Sequence, residues 1–188
     1  TRNPWDTRTT TGGSSAGAAA AAALGIGPLH IGTDGAGSIR IPASFCGIFG
    51  HKPSYSRVPA YPPSPFGIVS HLGPMTRSVA DAAAMLSVIA KPDSRDIDAV
   101  WTEPQDYMKG LDDGVRGLRC AWSPRLGYAE GLNSEVEALC TEAARAFGEL
   151  GGVLKDADPG FSDPTEILRV LWRTGASLVL GGIPEERW

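Results

Sequence analysis

Lysine is scarce and late in this sequence. It occurs at positions 52, 91, 109 and 155, and nowhere before Lys52. Histidine is equally rare, at His30, His51 and His71, and cysteine occurs only at Cys46, Cys120 and Cys140. An odd cysteine number without paired spacing argues against a disulfide framework. It fits free thiols in a reducing compartment, the cytoplasm, each packed as a small apolar side chain. Metal-ligand spacing is absent, so neither a metal nor a cofactor is expected. No run reaches the roughly 18 apolar residues of a membrane span, and the small apolar stretch 16–29 lacks the basic lead of a signal segment. With 17 basic against 21 acidic side chains and a net charge of −4, there is no basic surface for nucleic acid or membrane.

What is present reads as one ordinary domain of alternating elements. Ala16 to Leu24 is alanine-rich and ends at Gly25, which predicts a buried helix with close neighbours. Gly27 to Asp34 reads as a short buried strand. Residues 50–74 are crowded with proline and predict a long extended loop. Ser78, with Asp81 three residues on, opens a helix whose apolar stripe is Val79, Ala82, Ala83, Leu86 and Ile89. The segment 91–113 is polar and is expected on the surface. GLRCAW, 117–122, predicts a strand. A capping pair at Ser134 and Glu137 then leads a helix with Val136, Leu139, Cys140, Ala143, Phe147 and Leu150 on one face. Val153 to Asp156 completes a βαβ unit, and a last helix is expected over 164–180. The fold class is therefore α/β, with parallel neighbours favoured.

The stretch TTGGSSAG, followed by GTDGAGSIRIP, places two serines, Ser14 and Ser38, in glycine turns on either side of the alanine run. Three chemistries fit such turns. Serine can cap a helix or make a turn. Successive N–H groups can hold an anion, although the Lys-Ser/Thr pair of a phosphate loop is missing. Or serine can be a nucleophile, with glycine-flanked N–H groups free to receive an oxyanion. No GxSxG elbow surrounds Ser38, and none of the three histidines lies in a triad motif, so an α/β-hydrolase is disfavoured.

TTTGGSSAG, then GTDGAGSIRIPASFCGIFGHKPS, then GPMTRSVADAA resembles the amidase signature family of serine hydrolases, and the likeness covers most of the chain. The resemblance implies a mixed, largely parallel sheet with helices on both faces, and hydrolysis of carboxylic amides through an acyl-serine intermediate. It implies a Ser–Ser–Lys triad in which Ser38 is the nucleophile and Ser14, after a cis Gly13–Ser14 bond, passes the proton. It implies an oxyanion hole of the Gly35, Ala36, Gly37 and Ser38 N–H groups, with Ser15, Asp34 and Arg40 holding the loop. Ala36 stands where the family commonly has glycine, which requires a negative φ there. The family's lysine precedes GGSS by several tens of residues, and the 13 residues before Ser14 hold none. The resemblance thus makes residues 1–188 a single partial domain, truncated at both ends, with its base outside and little activity alone. The expected partner is a small amide substrate. A homo-oligomer or the missing segments of the same enzyme would cover its exposed faces. An amidotransferase subunit for tRNA-linked amidation is the second reading, against which stands IVSHLGPMTR where that branch has an SSLDQ-type stretch. An inactive truncated family member is the third. The proline-rich stretch at Tyr55–Phe66 is expected to border the pocket.

Overall fold

The computed structural model describes residues 1–101 and 103–182. They form two compact units, one of residues 1–109 with those from Leu171 onward, the other Gly110–Val170.

The first unit is built on a three-stranded sheet ordered β1 (Leu29–Asp34), β3 (His71–Thr76), β2 (Phe49–Gly50). Both ladders are antiparallel, with Leu29 opposite Thr76 and Asp34 opposite His71. The chain crosses from β1 through α2 (Arg40–Cys46) before reaching β2. β3 lies at the end of the proline-rich stretch expected to be loop, and it carries Gly73 and Pro74 in mid-strand. Those residues hide it from a propensity reading, because proline cannot donate to a ladder. Here the Pro74 carbonyl still accepts from the His51 N–H at 3.0 Å, with no N–H to return, and β2 ends at Gly50. Gly73 is required by close approach: a Cβ there would lie 2.0 Å from the His51 carbonyl oxygen.

The alanine helix α1 (Ala16–Ala23) packs on β1, β3 and α2, burying Ala19, Ala20 and Ala22. Its small side chains let Ile39, Met75 and Cys46 close the core against Ala19. α2 ends at Gly47 in the left-handed conformation. The carbonyls of its last turn are met from the N-terminal segment, where Asn3 Nδ2 donates to Phe45 O at 2.8 Å and Trp5 Nε1 to Cys46 O at 2.7 Å. α3 (Val79–Ile89) begins as expected, with Ser78 Oγ accepting from the Asp81 N–H.

In the second unit β4 (Arg119–Trp122) and β5 (Val153–Asp156) pair in parallel across α4 (Ser134–Glu149), the expected βαβ unit. The cap of α4 is Asn133 rather than Ser134: its Oδ1 accepts from the N–H groups of Glu135 and Val136. Ser134 is the first helical residue, so the capping pair lies one residue earlier than expected. The apolar stripe of α4 exists, but among its described residues only Ala144 is buried, while Leu139 and Leu150 are 60% and 64% exposed. Two strands are too narrow to cover it. Of the cysteines, only Cys46 is buried; Cys140 is exposed on α4, contrary to a core role. α5 (Thr165–Gly181) ends the described chain and contributes its residues from Leu171 to the first unit.

Candidate active site

Asp34, the last residue of β1, organises the turn that follows it. Its side chain is fully buried and accepts from the Gly37 N–H at 2.7 Å and from the Ile39 N–H at 3.2 Å. Arg40 grips both oxygens, Nε to Oδ2 and a terminal nitrogen to Oδ1, each at 2.9 Å. Burial opposes ionisation of this carboxyl. The Arg40 guanidinium and the Gly37 and Ile39 N–H groups outweigh it and hold the pKa far below the ordinary carboxylate range. A carboxylate at the start of α2 also suits the helix dipole. The turn is therefore tied from inside by one charged group, and Ser38 is carried on its outer side.

Gly37 has φ +113°, and a Cβ would meet Ile41 Cδ1 at 2.6 Å, so glycine is required there. Ala36 does not have positive φ, and its methyl is accommodated. Because Gly37 donates to Asp34, its N–H is taken. The N–H groups of Gly35, Ala36 and Ser38 have no protein acceptor among the described residues. Of the four N–H groups expected to form an oxyanion hole, that of Gly37 is engaged by Asp34.

Ser15 joins the two serine turns. Its N–H donates to Ser38 O at 3.3 Å, while its hydroxyl donates to Thr33 O and accepts from Thr33 N–H, both at 3.2 Å. The loop is thus stitched to β1 like one more rung of the ladder. The Gly13–Ser14 peptide is cis. Ser14 and Ser38 line the same cavity of about 730 Å³, together with Gly35 and residues of the proline-rich stretch, Pro59 to Pro62 and Ser64 to Phe66. No lysine is among its described lining residues. Lys52 is turned to its own neighbour, Nζ donating to Pro53 O at 2.7 Å, and burial followed by the nearby Arg40 lowers its pKa.

The Amidase family model matches residues 1–179. The chain belongs to the amidase family. The acylamidase of Rhodococcus erythropolis is 43% identical over 167 residues, 88% of this chain and 35% of that protein. A glutamyl-tRNA(Gln) amidotransferase subunit of Rubrobacter xylanophilus is 47% identical over 152 residues, 80% of this chain and 32% of that one. Among solved structures, a bacterial aryl acylamidase of the amidase signature enzymes superposes with TM-score 0.87 at 35% identity, over 100% of this chain and 39% of its own. A 6-aminohexanoate cyclic dimer hydrolase superposes with TM-score 0.83 at 30% identity, over 99% and 42%. The chain spans about a third of the length of the curated relatives it matches.

Around these amidase turns lie residues that motif reading passed over. His71 Nδ1 is 3.0 Å from Asp34 O and 2.9 Å from Val69 O. Carbonyl oxygens only accept, so Nδ1 carries the proton and the ring pins the main chain at the root of the Ser38 turn. Trp172 of α5 also lines the cavity, its ring 4.6 Å from that of Phe66. It lies so far along the chain from Ser38 that no local signal points to it. Among the described residues, no helix is long and apolar enough to cross a membrane.

Proposed function

We propose that this chain carries the nucleophile and proton relay of an amide hydrolase. The single observation carrying the reading is that Ser14 and Ser38 line one cavity with Gly35, while the N–H groups of Gly35 and Ser38, and that of Ala36 in the same turn, have no protein acceptor among the described residues. Ser38 Oγ attacks the amide carbon, forming the C–O bond as the carbonyl electrons move onto oxygen. Those three N–H groups receive the oxyanion, where loss of one such donor typically costs about 10²–10³ in kcat. The Ser38 proton passes to Ser14 Oγ, and Ser14 gives its own to a neutral lysine. The C–N bond then breaks, and the amine leaves with a proton returned through Ser14. Water hydrolyses the acyl-Ser38 ester by the same relay. Asp34, Arg40, Ser15 and His71 hold the turns and do not react. The lysine comes from outside residues 1–188, since none of the four lysines lines the cavity. These residues alone are therefore nearly inert. The free cysteines support a reducing, cytoplasmic compartment.

The test is hydrolysis of an acyl p-nitroanilide by the lysine-bearing enzyme. Ser38→Ala reduces it to background, and Ser14→Ala lowers kcat by about 10²–10⁴-fold, the range of proton-transfer catalysis. Undiminished activity in Ser38→Ala would overturn the reading.

A second reading rests on the 47% identity to the Rubrobacter xylanophilus amidotransferase subunit. Under it, the serines release ammonia from an amide donor for transfer within a larger complex. Amide hydrolysis that requires companion proteins favours this reading, and hydrolysis by the polypeptide alone favours the first.

A further inference from the structure

One part of the cavity wall is unusual in composition. It is formed by Pro59, Tyr61, Pro62, Pro65, Phe66 and Trp172. The prolines bring no N–H donors, and the rings bring flat apolar surface. Phe66 and Trp172 lie with centroids 4.6 Å apart and planes tilted by 35°. Two glycines make this arrangement possible. A Cβ on Gly175 would come within 2.5 Å of Phe66 Cδ1, so α5 approaches Phe66 only because that residue has no side chain. A Cβ on Gly35 would come within 2.8 Å of Trp172 Cζ3. The edge of the indole therefore rests on the backbone of the turn that carries Ser38. The charged residues at the cavity are already matched: Asp34 with Arg40, and Asp93 with Arg95 at 2.6 Å. The Arg95 guanidinium also lies 5.4 Å from the Tyr61 ring. Among the described residues of the lining, no unpaired charge is left to recognise a carboxylate or an ammonium group.

We infer that this wall is a subsite for a neutral, planar aromatic group of the amide substrate, and that Trp172 is the residue that determines selectivity for it. The inference rests on the proposed amide chemistry for the word substrate, but the subsite itself is testable by binding alone. Burying a phenyl ring against such a wall is expected to give about ten- to a hundredfold in affinity.

The experiment is calorimetric titration of the Ser38→Ala chain, which cannot turn over, with benzamide and with acetamide. Benzamide is expected to bind at least about tenfold tighter. Trp172→Ala should lower the benzamide-to-acetamide affinity ratio by about tenfold, with Trp172→Phe restoring most of it and Phe66→Ala lowering it again. Equal affinities for the two amides, or a ratio unchanged in both Trp172→Ala and Phe66→Ala, would overturn the inference. Selective benzamide binding beside an enzyme whose Ser38→Ala variant remains active would leave the subsite standing and remove the proposed chemistry.

Discussion

Asp34 is the residue on which the site's geometry depends most. Replacing it by alanine leaves the Gly37 and Ile39 N–H groups without their acceptor, about 1–3 kcal/mol for each. Urea unfolding should show that loss at neutral pH. The sign with pH follows from the depressed folded pKa. The contribution is complete above the ordinary carboxylate pKa of about 4 and is lost as pH falls toward the folded value. Unfolding curves between pH 7 and 3 should therefore fall more steeply for the native chain than for Asp34→Asn, and parallel curves would remove Asp34 from this role. At this scale the glycine turns were legible from spacing, whereas the roles of Ser14, Ser38 and Asp34 came only from the family resemblance. Which N–H groups of the turn are left without a protein acceptor was less legible. Nothing in DGAGS says that Gly37 turns its N–H inward to Asp34 while its neighbours do not.

Among the elements, β3 and α2 escaped the sequence reading, and for opposite reasons. α2 is a seven-residue helix whose start is capped from outside by Asp34, so no local cap advertises it. β3 hides behind Gly73 and Pro74, residues that tertiary contacts demand and strand propensity forbids. Gly73→Ala forces a methyl onto a backbone oxygen that cannot swing away. The loss should reach or exceed the upper end of the about 1–3 kcal/mol usual for overpacking, measured by denaturant titration. The α4 cap gives a sharper comparison. Asn133→Ala should cost about 1 kcal/mol, whereas Ser134→Ala stays within about 0.5 kcal/mol. Equal losses would return the cap to Ser134.

For the molecule as a whole, the α/β character and the βαβ unit could be read from periodicity. The antiparallel sheet of the first unit could not, because its ladders join segments separated by α2 and the proline-rich loop. Periodicity also named the α4 stripe without saying what covers it. Leu139 and Leu150 stand 60% and 64% exposed, so these 188 residues should bind hydrophobic dye and self-associate. Sedimentation of Leu139→Glu/Leu150→Glu should show less association at unchanged circular dichroism, and unchanged association would place the contact elsewhere. The most direct measurement of the central claim is intact mass after fluorophosphonate treatment, for residues 1–188 and for the same residues extended by a family-like lysine segment. An adduct is expected only on the extended polypeptide and is absent from its Ser38→Ala variant. An adduct that survives Ser38→Ala, or none on the extended polypeptide, would overturn the proposed chemistry.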